Sequence, residues 1–480
     1  MKKNLSILIT LLLLTSFLFA QKAEEKNKIA LKYGAQTFQK RQDSAMLKWR
    51  SNRFGQFIHF GLYAIPGGVW KGKTYNYAAE FLKSSAKIPT TTWDSLMYQF
   101  ALPKFNPTVW AKLAKQMGVK YMTITTKHHE GFCMWPTKYT DFNIGNTPFK
   151  RDLLKEVVDA YNKEGIDVNF YYSVLDWHNP DWRYDIKSQA DSIAMQRCLQ
   201  YAYNQLKELA ERYPTVKGFW FDGTWDNSVK KNGKWTYEVE KMLKAVHPGI
   251  IVNSRLRADD LGARHRDSNG DLMGDYESGY ERRLPTQADL EKVLKNDWEA
   301  CMTIPENQWG YHRDWSLSHI KSSDELIEML VKTTSMSGNF LLNFGPSGEG
   351  VFRPEEQKIT VQIGEWMKQN SEAIYNCGYA GLEKQDWGYF TKNAGTGKVY
   401  MVVFNQPVNR KLRIKLEKSQ SISGMKLKGF PNEKLTLEDL NNQEFFIQLP
   451  AINTNHAFVI ELEITMKDNL KQNTYQKPLT

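Results

Sequence analysis

From residue 54 onward the chain alternates short β-branched or aromatic runs with amphipathic helical patterns. Repetition of that unit commits it to an α/β fold, a parallel sheet covered by helices. The runs are Phe54–Tyr63, Tyr121–His129, Val168–Leu175, Gly218–Gly223, Ile250–Arg255, Asp275–Ser278, Trp298–Ile304 and Asn339–Phe344. Eight of them predict a (β/α)8-like barrel. Between them, Thr108–Met117 follows Asn106-Pro107, an N-cap and a proline at the first helical position, and stops at Gly118. The stretch Arg151–Glu164 puts Leu153, Leu154, Val157, Val158 and Tyr161 on one face and stops at Gly165. A helix over 354–375, opened by Pro354, closes the region.

After Cys377-Gly378 the pattern changes. Val399–Asn405, Lys411–Glu417, Glu444–Pro450 and Ala457–Ile464 alternate or run continuously apolar between turn residues, which predicts a C-terminal antiparallel β-sandwich. At the other end, Lys2-Lys3, an uncharged apolar run over 5–20 and the small Ala20 before Gln21 form a secretory signal. The run is short for a membrane span of roughly 20 residues, and no later stretch is long enough. The expected organisation is a signal peptide at 1–20, a barrel catalytic domain at 21–376, a sandwich at 377–465 and a polar tail at 466–480. The expected location is exported, periplasmic or secreted.

Composition narrows the partners. The net charge of +11, from 64 Lys and Arg against 53 Asp and Glu, is spread along the chain. Nucleic-acid binding calls for clustered basic stripes and a recognisable module, and neither occurs; a mild attraction to acidic polysaccharide is compatible with the charge. Four cysteines, Cys133, Cys198, Cys301 and Cys377, lie far apart without a CxxC, so neither a disulfide scaffold nor a cysteine-rich zinc site is available. The 15 Trp and 23 Tyr exceed what a core needs and suit stacking against sugar faces.

In such a barrel the reactive groups sit where the strands end. The first run ends near His59, the second at Lys127-His128-His129-Glu130, the third near Tyr171, Tyr172, Asp176 and Trp177. The fourth is aromatic until Asp222, with Gly223 allowing a sharp turn; the fifth ends at Asn253 and Arg255. Gly274–Arg283 then carries Asp275, Glu277 and Glu281. Asp222 alone could equally cap the next element. A second acidic cluster favours glycoside hydrolysis, which needs two carboxyl groups in unlike environments. The His128-His129-Glu130 run could ligate a metal, but neighbours on a strand face opposite ways and an H-x-H pair is missing, so no metal is expected. The G-x-S-x-G elbow, P-loop and dinucleotide fingerprint are also missing.

Five motifs, in order and spread over about residues 45 to 375, carry a resemblance. They are Phe54–Tyr63, Lys127–Trp135 with Lys138–Phe142, Tyr171–Ser173, Trp220–Asp222 and Gly338–Pro346. Together they resemble the α-L-fucosidases of glycoside hydrolase family 29. That resemblance implies a retaining exo-enzyme that removes terminal α-L-fucose from a fucosylated oligosaccharide or glycoconjugate through a covalent fucosyl-aspartate, without a cofactor. It places Asp222 on the family's nucleophile. His59, Glu80, His128, His129, Tyr171, Trp220 and Arg255 fall on sugar-binding positions, and Trp309 on the aromatic facing the fucose methyl group. Glu281, in Ser278-Gly-Tyr-Glu281, best matches the acid/base context, with Glu277 the competitor. Glu299, in Trp298-Glu-Ala-Cys301, sits in a family motif that looks structural. Phe81 replaces a common Trp, and Phe221 a polar residue, which bears on subgroup and aglycone. The alternatives are a related glycosidase acting on an α-L-galactoside or fucan fragment, and a catalytically silent carbohydrate-binding barrel.

Overall fold

The computed structural model describes residues 28–466 except 317, 442 and 453–455. The expected signal segment and the tail beyond Met466 lie outside the described residues; Met466 itself ends the last strand.

Eight strands form one parallel sheet: β1 (Phe54–Ile58), β2 (Tyr121–Lys127), β3 (Asp167–Ser173), β4 (Gly218–Asp222), β5 (Ile251–Val252), β6 (Glu277–Glu281), β7 (Trp298–Thr303) and β8 (Asn339–Phe344). Their order is β5-β4-β3-β2-β1-β8-β7-β6. The seam between β5 and β6 is closed by a parallel bridge at Asn253 and Tyr276, with the Asp275 N–H on Val252 O and the Ser254 N–H on Tyr276 O. All eight expected strands are present, which is the barrel the alternation predicts.

The interior is aromatic. Phe57, Tyr121, Tyr171, Trp220 and Tyr276 pack with Leu341, and Met46 and Trp49 of α1 (Ser44–Asn52) join them. Gly55 makes room for the ring of Tyr121, its register partner on the neighbouring β2, since a Cβ there would stand 2.5 Å from that ring.

Helices cover the outside. In α2 (Pro107–Met117), Asn106 caps the N–H groups of Thr108 and Val109, and Gly118 ends the helix with φ 90°. Asp152 caps α3 (Leu153–Lys163), whose buried face is the one the spacing predicts. The longest, α4 (Gln189–Arg212), is capped by Ser188 and buries Met195, Cys198, Leu199, Leu206 and Leu209. Next come α5 (Gly233–Val246), α6 (Leu290–Lys295), α7 (Ser323–Ser335) and α8 (Pro354–Asn370). The helix expected over 354–375 thus stops at Asn370, and a 3-10 turn over Ser371–Ala373 follows.

Two strand boundaries differ from expectation. The fifth strand is cut to two residues because the Asn253 side chain takes over the ladder, accepting from Phe221 N–H and donating to Phe221 O. Arg255 therefore lies in a 3-10 turn, Ser254–Leu256. The sixth strand begins at Glu277, not Asp275, whose carboxylate is held by Arg41, Lys244 and the Val252 N–H. That shift puts Glu281, not Ser278, at the strand end.

Beyond the barrel, β9 (Cys377–Gly378), β10 (Gly388–Asn393), β11 (Val399–Val403), β13 (Gln420–Leu427) and β16 (Phe458–Met466) form a sheet of order β9-β10-β11-β16-β13. A second sheet runs β12-β15-β14, from β12 (Lys411–Lys415), β14 (Thr436–Asp439) and β15 (Glu444–Gln448). Both are antiparallel, and Trp387, Met401, Leu412, Ile414, Phe445, Ile447 and Ile460 share one core. The period-2 segments thus build the expected sandwich.

Candidate active site

Strand ends and the loops after them enclose a cavity of about 500 Å³ counting its open mouth. All ten residues singled out from the sequence line it: His59, Glu80, His128, His129, Tyr171, Trp220, Asp222, Arg255, Glu281 and Trp309. Glu277 is not among the lining residues; its carboxylate lies 3.3 Å from Arg266 Nη2 and 3.5 Å from Ser254 Oγ.

Asp222 ends β4, and the chain turns at once through Gly223 at φ 71°. A Cβ on Gly223 would stand 2.6 Å from Leu175 Cβ, so only glycine fits the turn. Arg255 Nη1 donates to Asp222 Oδ1 at 3.1 Å and Nη2 donates to Glu281 Oε2 at 2.7 Å. One guanidinium therefore grips both carboxylates. The Tyr171 hydroxyl donates to Asp222 Oδ2 at 3.0 Å, and His129 Nε2 stands 3.8 Å from the same oxygen. Burial alone would raise the Asp222 carboxyl, but the Arg255 guanidinium, the Tyr171 hydroxyl and the Gly223 N–H outweigh it and hold it below its ordinary range.

The histidines are neutral. Burial pushes His59 down to about 3 and His129 down to about 4, and holds His128 well below the usual range. The Asn343 amide donates to Trp309 O at 2.6 Å, so its oxygen accepts from His59 Nδ1 at 2.6 Å. Ser173 Oγ donates to Leu175 O, so it accepts from His129 Nδ1 at 2.7 Å. These bonds leave each Nε2 as an acceptor. His128 Nδ1 is buried with no partner among the described residues, a group that awaits a hydroxyl.

His128 and His129, neighbours expected to face opposite ways, both enter the cavity. β2 ends at Lys127 after a register shift, and both rings turn into the cavity with centroids 4.2 Å apart. Glu130 turns away, accepting from Leu62 N–H and Trp93 Nε1, both at 2.8 Å.

Glu80 enters from a 3-10 turn, Ala79–Phe81. Its Oε2 accepts the Gly310 N–H at 2.9 Å while Oε1 is buried with no partner among the described residues, and burial pushes the carboxyl up to about 7. Trp309 and Phe57 form an apolar wall, with ring centroids 6.2 Å apart. Tyr77, Phe81 and Trp225 complete the cavity wall; Trp225 is 38% exposed and Tyr77 51% exposed.

Sequence reading gave no role to Phe57, Tyr77, Trp225, Arg282, Cys301 or Asn343. Phe57 and Asn343 share a register pair at the ends of β1 and β8, a signal that pairing the motifs would have exposed. Arg282 follows Glu281 directly, its Nε 3.6 Å from Glu281 Oε1.

A family model described as α-L-fucosidase matches residues 18–372. The chain belongs to the α-L-fucosidase family. Rat tissue α-L-fucosidase is 31% identical over 339 residues, covering 67% of this chain and 68% of that protein. A family 29 α-L-fucosidase from Bacteroides thetaiotaomicron, solved as a covalent intermediate trapped with 2-fluoro-fucosyl fluoride, superposes with a TM-score of 0.89 at 58% identity. It covers 91% of this chain and 100% of its own. The α-fucosidase of Thermotoga maritima is more distant, with a TM-score of 0.68 at 26% identity over 87% and 96% of the two chains.

Proposed function

We propose that this α-L-fucosidase is a retaining exo-enzyme in which Asp222 is the nucleophile and Glu281 the acid/base. The observation that carries the reading is the Arg255 fork, which holds one oxygen of each carboxylate at 3.1 and 2.7 Å. Two carboxyl groups within reach of one guanidinium suit retention, at roughly 5–5.5 Å, better than inversion at about 6.5–9.5 Å. The relative from Bacteroides thetaiotaomicron, trapped as a covalent intermediate, supports the same course.

Asp222 attacks the anomeric carbon as the bond to the leaving oxygen breaks, and Glu281 delivers its proton to that oxygen. Water then attacks the fucosyl ester, giving a proton back to Glu281 and freeing Asp222. Tyr171 and Arg255 fix the attacking carboxylate; neutral His59, His128 and His129, with Glu80, meet the sugar hydroxyls. The Phe57 and Trp309 wall gives the C6 methyl an apolar contact that a C6 hydroxyl would leave unsatisfied.

The substrate is a fucosylated glycan. Hydrolysis of 4-nitrophenyl α-L-fucoside, run beside the α-L-galactoside and the α- and β-D-galactosides, tests the assignment. Turnover of the fucoside well above the others is expected, and a preferred galactoside would overturn it.

Export is part of the proposal, resting on Lys2-Lys3 and the apolar run that follows. Protein recovered outside the cytoplasm and beginning at Gln21 is the expected outcome; retention with Met1 intact would contradict it. Among the described residues no helix is long and apolar enough to cross a membrane.

A further inference from the structure

Beneath the cavity floor lies a carboxyl group that the mechanism leaves unused. Glu299, on β7 and paired in register with Asn339 of β8, points into the barrel and is buried. Its Oε1 accepts the Trp220 indole N–H at 3.0 Å and its Oε2 accepts the Tyr121 hydroxyl at 2.7 Å. Trp220 is in turn the plate under Arg255, whose guanidinium carbon sits 4.5 Å from the indole centroid. Tyr171 stacks on the same indole at 5.6 Å and 18°.

Ring stacking tolerates sliding, whereas an N–H bond to a carboxyl oxygen is directional. One hydrogen bond therefore sets the rotation of Trp220, the indole sets the plane of Arg255, and the guanidinium spaces Asp222 from Glu281. Burial pushes the Glu299 carboxyl up to about 7 despite the donors around it. An apolar residue of similar volume would fill the space without that cost, so packing alone does not account for an acid here.

We propose that Glu299 is a positioning residue for the hydrolysis, fixing the Trp220 indole and through it the Arg255 guanidinium that aligns Asp222 with Glu281. The inference rests on the roles given above to those two carboxylates.

The chemistry of the surroundings separates two replacements. In Glu299→Gln the amide oxygen still accepts from Trp220. The amide N–H faces the Tyr121 oxygen, which can accept it. Glu299→Leu keeps the volume and removes the acceptor.

Steady-state kinetics on 4-nitrophenyl α-L-fucoside, with thermal unfolding as the check on folding, decides the matter. For Glu299→Leu, kcat should fall about 30-fold or more, the scale of a misplaced catalytic geometry. KM should stay within about threefold, as for an interaction expressed in the transition state. Glu299→Gln should restore most of kcat. In a Trp220→Phe background, Glu299→Leu should cost nothing further, because its route of action is gone.

A lowered melting temperature with wild-type kcat in Glu299→Leu would overturn the proposal, and so would losses that multiply in the double variant. Should Glu299→Leu fail to fold, Trp220→Phe decides alone: reduced kcat with KM kept supports the chain of contacts, and wild-type kcat overturns it. If the wild-type enzyme splits no α-L-fucoside, the reading of Asp222 and Glu281 falls first. If it does, and Glu299→Leu matches it, only the present inference falls.

Discussion

The Tyr171 hydroxyl donates to Asp222 Oδ2 at 3.0 Å from the adjacent strand, where Tyr171 and Trp220 are register partners and Ser173 pairs with Asp222. A hydrogen bond to the charged form favours that form, so this hydroxyl keeps the carboxylate ionised. Tyr171→Phe retains the ring stacked on Trp220 and deletes only the donor. A bond to a charged group contributes about 1.5–3 kcal/mol, which corresponds to about one pH unit or more in the acidic limb of kcat/KM. The limb should move upward; an unmoved limb would show that the bond does not control the nucleophile.

Arg255 acts on the same carboxylate with a full charge. It is the leading opposing influence that holds Asp222 below its ordinary range. In wild-type enzyme Asp222 therefore stays ionised to lower pH than a free aspartate, and activity on the acid side is lost only as pH falls through that depressed value. Arg255→Met should raise the acidic limb further than Tyr171→Phe does, and should lower kcat by about 10²-fold through lost alignment. A pH profile of kcat/KM in which the methionine variant keeps the wild-type limb would contradict this.

Glu80 titrates near neutrality for a different reason, burial, at about 7. Its Oε1 has no partner among the described residues, and a sugar hydroxyl that donates to it binds the ionised form more strongly. Affinity for free L-fucose should rise as pH increases through about 7. Glu80→Gln should flatten that dependence and weaken binding at pH ~8 by about 1.5–3 kcal/mol. Titration calorimetry at several pH values measures both. The cavity histidines do not confuse the result, since His59 and His129 sit at about 3 and 4.

The loops behind the histidine pair are tied by an ion pair with almost no exposure, Lys127 Nζ to Asp176 Oδ2 at 2.9 Å. Asp176 Oδ1 also accepts the N–H groups of His178 and Asn179, and Trp177 N–H donates to His129 O. Lys127→Met leaves Asp176 charged and buried and should destabilise the fold by about 3–5 kcal/mol. Asp176 lies below its ordinary range: burial opposes this and Lys127 outweighs it. Its stabilisation is complete above the unfolded value of about 3.9 and is lost as pH falls through the folded one. Denaturant unfolding at neutral pH, showing a change under about 1 kcal/mol, would place the pair among near-neutral contacts.

Strand identity was legible because the apolar runs are long and bounded, and the ends of β1 to β4 carried His59, the histidine pair, Tyr171 and Asp222 into one cavity. The sixth strand was misplaced by two residues because Asp275 continues the run in sequence but is claimed by Arg41 and Lys244, partners distant along the chain. The same blindness hid α4, whose polar residues dilute its apolar face. Choosing Glu281 over Glu277 required the family context, since both acids sit in one short segment and only register decides which opens on the cavity. Cavity residues such as Asn343 and Arg282 act through contacts with other elements, which local pattern does not encode.

The central claim is that Asp222 forms the bond to the sugar, and azide rescue tests it most directly. Asp222→Gly should lose essentially all hydrolysis of 4-nitrophenyl α-L-fucoside, and added azide should restore turnover with β-L-fucosyl azide as product, identified by NMR. A glycine variant that still hydrolyses the fucoside, or azide that yields the α-configured product, would contradict the account.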